Sequence, residues 1–339
     1  MGLFSFTKEI AIDLGTANTI IIHNDKIVID EPSIVAIEKR TGKLKAVGRQ
    51  AKLMQGKEND DIETIRPLRK GVIANFNAAE MMIRGLIKKA SSKSNWFSPS
   101  MKMVVGIPSG STEVEIRAVR DSSEHAGGRD VYMIYEPMAA ALGIGIDVLA
   151  PQGNMIVDIG GGTTEIAVIS LGGIVSNKSI QVAGDDLTDD IMEHMSRVHN
   201  VKVGERTAEQ SKMHVGSALT ELDNPPEDYI VHGPNKMTAL PMEVPVSYQE
   251  ISHCIEKSIS RIEAAVLQAL DETPPELYSD IVMNGIFLAG GGAMLRGLDK
   301  RLTDKIGIQF HIAEDPLLAV AKGTGVALKN IETFSFLIR

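Results

Sequence analysis

Asp158-Ile159-Gly160-Gly161-Gly162-Thr163-Thr164 follows the apolar run Met155 to Val157 and leads into Ile166 to Ile169. Asp13-Leu14-Gly15-Thr16-Ala17-Asn18-Thr19 repeats the arrangement, in weaker form, between Ile10 to Ile12 and Ile20 to Ile22. Each reads as strand, tight turn, strand, with an aspartate at the mouth of the turn. Glycine lets backbone N–H groups come close to a phosphate, threonine hydroxyls add donors, and an aspartate can hold a water of a bound Mg²⁺. One such turn is weak evidence. Two of them, a domain-length apart, suggest two related lobes closing on one polyphosphate from opposite sides.

Other residues with chemistry lie between and beyond these turns. Val131 to Ile134 reads as a strand that delivers Tyr135-Glu136-Pro137 and then the small residues Ala139 to Ala141. Glu136 is suited to a helix N-terminus, and at a strand end beside two phosphate turns it is also where a water-orienting carboxylate would be needed. Glu205, Glu209 and Lys212 fall at i, i+4 and i+7 on one helical face, which by itself indicates surface ion pairing worth tenths of a kcal/mol. Gly290-Gly291-Gly292 ends the strand that starts at Gly285 and forms a third glycine turn, able to lie flat against a nucleoside. His194 and His199 are five apart without partners at ligand spacing, so the sequence marks no metal site there.

The elements that must position these groups fit a two-lobed α/β chain. At 339 residues the protein exceeds what one hydrophobic core usually serves. The expected first lobe covers 1–150, with a small subdomain inserted at about 33–75 and a C-terminal segment at about 316–339 returning to it. The second lobe covers 151–315, with an insertion at about 185–247; the turn Pro151-Gln152-Gly153-Asn154 marks the boundary. Within the first lobe, Gln50 to Gly56 reads as a short helix, Ile65 to Leu68 as a strand, Ala78 to Lys89 as a helix, and Met103 to Ile107 as a buried strand. Thr112 with Glu113 and Glu115 opens another helix. In the second lobe, apolar positions from Ile251 to Leu270 follow helical spacing up to the stop Thr273-Pro274-Pro275. Asp315 to Gly325 reads as a small-residue helix that would pair with the one after Glu136.

Composition narrows the function. A net charge of -9 gives no footprint for nucleic acid and argues against wholesale attachment to anionic lipid. The single Cys254 excludes an internal disulfide and suits a reducing cytoplasm. No apolar run approaches the roughly 20 residues that span a bilayer, and the N-terminus lacks the basic and apolar regions of a secretory signal. Any membrane contact would be local. Two places suggest one: the tip carrying Leu3, Phe4 and Phe6, and the polar, proline-ended loop that holds Trp96 beside Phe97, with Lys88, Lys89 and Lys93 near it. Core packing is the alternative for both.

Two Asp-Gly turns, an acid-Pro-small helix between them and a late glycine turn before a Gly-bearing helix resemble, in that order, the five-part pattern of the actin, heat-shock chaperone and sugar-kinase ATPase superfamily. The likeness of Ile12 to Thr19, Val105 to Ser111, Tyr135 to Ala141, Val157 to Thr164 and Gly204 to Lys212, with the overall length, extends to the bacterial actins of the MreB family. The resemblance implies an actin-like ATPase fold whose two lobes each hold a ribonuclease-H-like sheet, with nucleotide in the cleft. It implies ATP phosphates on Gly15, Thr16, Ala17, Asn18 and Gly160 to Thr163, with Mg²⁺ near Asp13 and Asp158 through water. Glu136, assisted by Thr163, would position the attacking water; Glu209 and Lys212 would border ribose and adenine; and Gly290 to Gly292 would complete the pocket. Implied partners are further copies of the chain in filaments, the inner face of the cell membrane and a transmembrane rod-shape complex. A small-molecule kinase of the superfamily, a chaperone ATPase and a non-enzymatic membrane scaffold stay open as alternatives at this stage.

Overall fold

Isoleucine- and valine-rich runs broken by short polar turns become strands, because β-branched side chains pack well on a pleated surface. The computed structural model describes residues 8–91 and 101–339. Leu3, Phe4, Phe6, Trp96 and Phe97 lie outside the described residues. The chain opens with β1 (Lys8–Leu14), β2 (Asn18–His23) and β3 (Lys26–Pro32), an antiparallel meander. Then come β4 (Val35–Glu38), β5 (Leu44–Val47), the one-turn helix α1 (Arg49–Lys52) and β6 (Ile62–Ile65), which form a small three-stranded sheet over Ile34, Ala36, Ala46 and Ala51. The helix is shorter than the span Gln50 to Gly56 suggests. Met54 N–H turns back to the carbonyl of Ala51, three residues earlier, and Gly56 then takes a left-handed φ of +75°.

The expected strand from Ile65 to Leu68 is split in two. Pro67 has no N–H to give to a ladder, so β6 stops at Ile65 and a separate two-residue strand, β7 (Leu68–Arg69), pairs with β8 (Val72–Ile73). After α2 (Phe76–Ser91) come β9 (Met101–Ile107), α3 (Glu113–His125), β10 (Gly128–Tyr135) and α4 (Glu136–Gly143). The N-terminus of α3 is closed reciprocally: the Thr112 hydroxyl accepts from Glu115 N–H, and the Glu115 carboxylate accepts from Thr112 N–H at 2.7 Å.

The second half repeats the first. β11 (Asn154–Ile159), β12 (Thr164–Ser170) and β13 (Gly173–Ile180) form another antiparallel meander. They are followed by α5 (Gly184–Arg197), α6 (Glu205–Val215), the hairpin β14 (Tyr229–Pro234) and β15 (Pro241–Val246), and the long helix α7 (Tyr248–Asp271). The diproline after α7 does more than stop it, because Pro275 begins α8 (Pro275–Asn284), where a missing N–H costs nothing. Then β16 (Ile286–Ala289) runs into a 3-10 turn at Gly291–Met294, and α9 (Leu298–Ile306), β17 (Phe310–Ile312) and α10 (Ala319–Lys329) complete the chain.

The two five-stranded sheets have one topology, β10-β9-β1-β2-β3 and β13-β12-β11-β16-β17. In each, three antiparallel strands meet two parallel strands that arrive through helical crossovers, which is the ribonuclease-H-like pattern. Each sheet has its own core, one around Ile10, Met82, Leu86 and Met103, the other around Met155, Ile191, Ile255 and Phe310. A third core joins them: α4 and α10 lie between the sheets, with Ile20, Val104 and Ile134 on one side and Ile156, Ala167 and Ile169 on the other. The C-terminus also comes back to the first sheet, where Ile338 pairs with Met133 of β10 through bonds of 2.8 and 2.9 Å.

The crossing of α4 and α10 depends on glycine. A Cβ on Gly143 would overlap the Ala319 carbonyl, and one on Gly323 would overlap the Ala139 carbonyl. Backbone therefore touches backbone at both glycines. Overpacking of this kind costs about 1–3 kcal/mol. Gly323→Ala is accordingly expected to lower the unfolding free energy by about 2 kcal/mol or more, whereas Gly173→Ala, whose new carbon meets only the Ser170 carbonyl at an ordinary 3.7 Å, stays within about 0.5 kcal/mol. Chemical denaturation of the two variants measures this, and equal effects would remove the close crossing as the reason for Gly323.

Candidate functional site

The two phosphate-type turns face each other. The turn between β1 and β2 puts Ala17 against Gly161, where an added Cβ would sit 2.8 Å from that of Ala17. Thr16 faces Gly162 in the same way, its Oγ1 2.8 Å from the position a Cβ would take. Side chains larger than hydrogen at Gly161 or Gly162 would thus separate the turns. Gly160 N–H closes the second turn onto the Thr163 carbonyl at 2.9 Å. The first turn is braced by Ser33, whose hydroxyl donates to the Gly15 carbonyl at 2.6 Å.

A hairpin that the sequence did not single out enters the same place. Lys70 and Gly71, with φ of +49° and +77°, form the two-residue loop between β7 and β8, and both positive angles match the twist of a tight hairpin. Gly71 N–H donates to Thr16 Oγ1 at 3.1 Å, and a Cβ on Gly71 would meet the Thr163 methyl at 2.6 Å. The signal in the sequence was a lone Lys-Gly pair between short apolar residues, too brief to distinguish from an ordinary bend.

Four carboxylates converge beneath these turns. Asp13 and Asp158 stand next to last in β1 and β11; Glu136 begins α4; and Glu165 lies on β12 opposite Asp158 in the strand register. Loss of hydration pushes the Asp13 carboxyl up to about 7. Asp158 is pushed up to about 7 as well, by burial first and then by the charges of Asp13 and Glu165. Glu136 is raised well above the carboxylate range by burial, with Glu165, Asp158 and Asp13 adding to it. The N-terminus of α4 favours an anion by only about 0.3–1 kcal/mol, too little to offset burial among three other acids.

Glu165 alone of the four is saturated with donors. Ser109 gives it both its N–H, at 3.0 Å, and its hydroxyl, and Ser179 donates at 2.6 Å. Because Ser109 follows β9 and Glu165 belongs to β12, these bonds also tie the first sheet to the second. Glu165 escaped the sequence reading, although one acid in the otherwise apolar run Thr164 to Ile169 was a visible clue. Asp158 is in the opposite condition: its Oδ1 is buried without a hydrogen-bond partner among the described residues. An unpartnered carboxylate oxygen among like charges, lined by glycine backbone, suits a hydrated divalent cation.

The remaining predicted residues line the second-lobe side. Gly290, at φ +79°, packs on Ile159 and the Asp158 carboxylate so closely that a Cβ would overlap both, and Gly292 lies against Ile159. Lys212 donates to the Gly184 carbonyl at 2.7 Å and to Thr188 Oγ1 at 2.9 Å, and it pairs with Glu209 at 2.7 Å. Glu209 accepts from the Thr188 hydroxyl at 2.6 Å. Gly184 and Asp185, at the start of α5, donate to the carbonyls of Gly160 and Gly161 at 3.1 and 2.8 Å. The Glu209–Lys212 pair is therefore connected to the Gly160–Thr163 turn through Gly184. Glu205 departs from them: it turns outward to Arg66, 2.8 Å away, which also holds Asp185 at 2.7 Å across the cleft. Arg66, between Ile65 and Pro67, carried no local sign of this role.

Comparison with known proteins follows the same lines. A family profile described as MreB/Mbl protein matches residues 7–335. The cell shape-determining protein MreB of Pasteurella multocida is 44% identical over 336 residues, covering 98% of this chain and 95% of its own. The crystal structure of MreB 5 of Spiroplasma citri bound to AMPPNP superposes with a TM-score of 0.90 at 37% identity, covering 96% of this chain and 97% of that one. The MamK double helical filament shares the fold with a TM-score of 0.78 at 20% identity, covering 96% and 99%. The actin-like architecture and the near full-length similarity agree: this chain belongs to the MreB/Mbl family.

Proposed function

We propose that the protein is an actin-like cytoskeletal ATPase that polymerises into filaments at the inner face of the cell membrane and helps determine rod shape by organising wall synthesis. The observation that carries this reading is the meeting of two aspartate-glycine turns, from sheets of like topology, beside Glu136 and the unpartnered Asp158 Oδ1. The cell-shape proteins of its family, the AMPPNP-bound relative and the fold shared with a filament support it. A small-molecule kinase finds no support among these relatives.

The residues divide the chemistry among them. Backbone N–H groups of Gly15 to Asn18 and Gly161 to Thr163, with the Thr16 and Thr163 hydroxyls, cradle the phosphates from both sides, and Gly160 shapes the second turn through its bond to the Thr163 carbonyl. Asp13 and Asp158 would hold Mg²⁺ through water, and the ion would supply charge that neutralises the phosphates and relieves the repulsion among the cleft acids. Glu136, on the first turn of α4, would orient the attacking water and, in its ionised form, take the proton, with Thr163 assisting. Glu209 and Lys212 border ribose and adenine, and Gly290 to Gly292 form the floor beneath the nucleoside. Because the two turns belong to different sheets, a polyphosphate held by both would bridge the lobes, and loss of its terminal phosphate would weaken the bridge. Hydrolysis thereby times the state of the filament.

Membrane contact rests on Trp96 and Phe97, and on Leu3, Phe4 and Phe6, apolar groups set in short polar or terminal segments. Among the described residues no helix is long and apolar enough to cross a membrane. Peripheral attachment, with a transmembrane rod-shape complex as partner, is part of the same proposal.

Two experiments test this reading. Glu136→Gln is expected to slow phosphate release by about 10²–10⁴-fold while nucleotide binding stays within a few-fold, whereas Asp158→Ala loses Mg²⁺-dependent binding itself. Phosphate release and fluorescent-nucleotide titration separate the two, and wild-type turnover in Glu136→Gln would end its assigned role. Replacing Trp96 and Phe97 together by Ser is expected to release the protein from liposomes in co-sedimentation; unchanged sedimentation returns the pair to core packing.

A further inference from the structure

We propose that His194, His199 and Glu250 form a binding site for a divalent transition-metal ion of the zinc class, with three protein ligands and one position open to solvent. The site is separate from the nucleotide cleft, and the fold assembles it from residues that the sequence leaves unpaired. Nε2 of His194 lies 2.6 Å from Glu250 Oε1, and Nε2 of His199 bonds to the same oxygen. The ligand atoms of all three residues lie within 4.8 Å of one another. The imidazole rings are tilted edge to face, 69° apart with centroids 5.8 Å apart, so their nitrogens converge on one point rather than stack.

The backbone holds each ligand in place. His194 sits in the last turn of α5, and His199 follows the end of that helix at Val198. Asn200 then takes a left-handed φ of +55°, a conformation asparagine tolerates. The turn is fixed further on, where Val201 N–H bonds to the Met195 carbonyl at 3.1 Å and Lys236 N–H to the Asn200 carbonyl at 2.7 Å. Glu250 lies in the first turn of α7, capped by the Ser247 hydroxyl. The two helices are packed together through Ile191, Met195, Ile251 and Ile255, all fully buried.

Ligand chemistry selects the ion. Two imidazole nitrogens with one carboxylate oxygen suit Zn²⁺ and its neighbours, while Mg²⁺ and Ca²⁺ prefer oxygen alone. Zinc–ligand bonds of about 2.0–2.2 Å in a tetrahedron set ligand atoms about 3.3 Å apart. The 2.6 Å contact between His194 and Glu250 would open by about 0.7 Å to admit the ion. All three are only partly buried, with side-chain exposures of 17, 25 and 24%, which leaves an entry path and room for a water as fourth ligand. An ion here would fasten the C-terminal end of α5 to α7, while the other end of α5 is bonded to the second phosphate turn through Gly184.

The test uses the full chain, stripped of metal and kept in excess Mg²⁺ to fill oxygen-rich sites. Zn²⁺ is titrated in competition with a chelating dye, and Co²⁺ is followed by its visible absorption. The wild-type protein is expected to take up one Zn²⁺ that His194→Gln and His199→Gln each weaken by about tenfold or more, and to give the intense bands of a four-coordinate Co²⁺ that both variants lose. His232→Gln, which alters an exposed His–Glu pair on β14, leaves uptake unchanged. Glutamine keeps a hydrogen bond to Glu250, and circular dichroism checks that the variants are folded. Absence of stoichiometric uptake by the wild type, or uptake undiminished in both histidine variants, overturns the proposal and leaves two imidazoles sharing one carboxylate.

Discussion

Four acids share one poorly hydrated cleft, and the rest of the molecule is built around holding them there. Burying ionised carboxylates near one another is unfavourable, which is why Asp13 and Asp158 are shifted to about 7 and Glu136 beyond the ordinary range. A carboxyl whose pKa rises on folding costs stability whenever it is ionised. The cores of two sheets and the core between them supply the excess that tolerates this. Only Glu165 is satisfied by protein donors, and it is the one whose bonds also connect the two sheets. Of the other three, Asp158 keeps one buried oxygen without a partner among the described residues, and the proposed cation rests on it.

The acids reach the cleft from four different elements, so their spacing depends on how the two sheets sit against each other. That relation is set by α4 and α10. Small residues let the helices touch along their backbones; α10 packs on β1, β2 and β9 of the first sheet, and α4 reaches strands of both. Glu136 is part of this crossing, being the first residue of α4. A change in lobe angle therefore moves Glu136 relative to the aspartates. At the far rim Arg66 holds Asp185 and Glu205 from the opposite side, and Gln55 reaches Glu205 at 3.2 Å. Such partly exposed ion pairs are each worth about 1 kcal/mol or less, weak enough to open when the lobes move.

The two histidines show how a fold creates chemistry without a motif. Neither His194 nor His199 has a partner within a ligand's span along the chain, and Glu250 lies about fifty residues away, in the first turn of another helix. Their proximity is a product of α5 packing on α7.

By itself, the sequence determined whatever is local. Strand-turn-strand periodicity at Asp13 and Asp158, the capping of α3 by Thr112, the start of α4 at Glu136-Pro137 and the glycines of the third turn all depend on neighbours a few residues away, so hydrophobic spacing and turn chemistry reveal them. The same local order, taken together, was sufficient to identify the superfamily and the pairing of two sheets of one topology. Tertiary structure decided what depends on distant partners: the Lys70-Gly71 hairpin between the phosphate turns, Glu165 as the acid bonded by Ser109, Arg66 across the cleft, and the convergence of His194, His199 and Glu250. Local pattern also misjudged α1 and the break at Pro67, where a few residues obey a neighbouring sheet rather than their own spacing. In each case the physical reason is the same. Side-chain periodicity records which face of an element is buried, while the groups that meet across that face are chosen by packing between elements far apart in the chain.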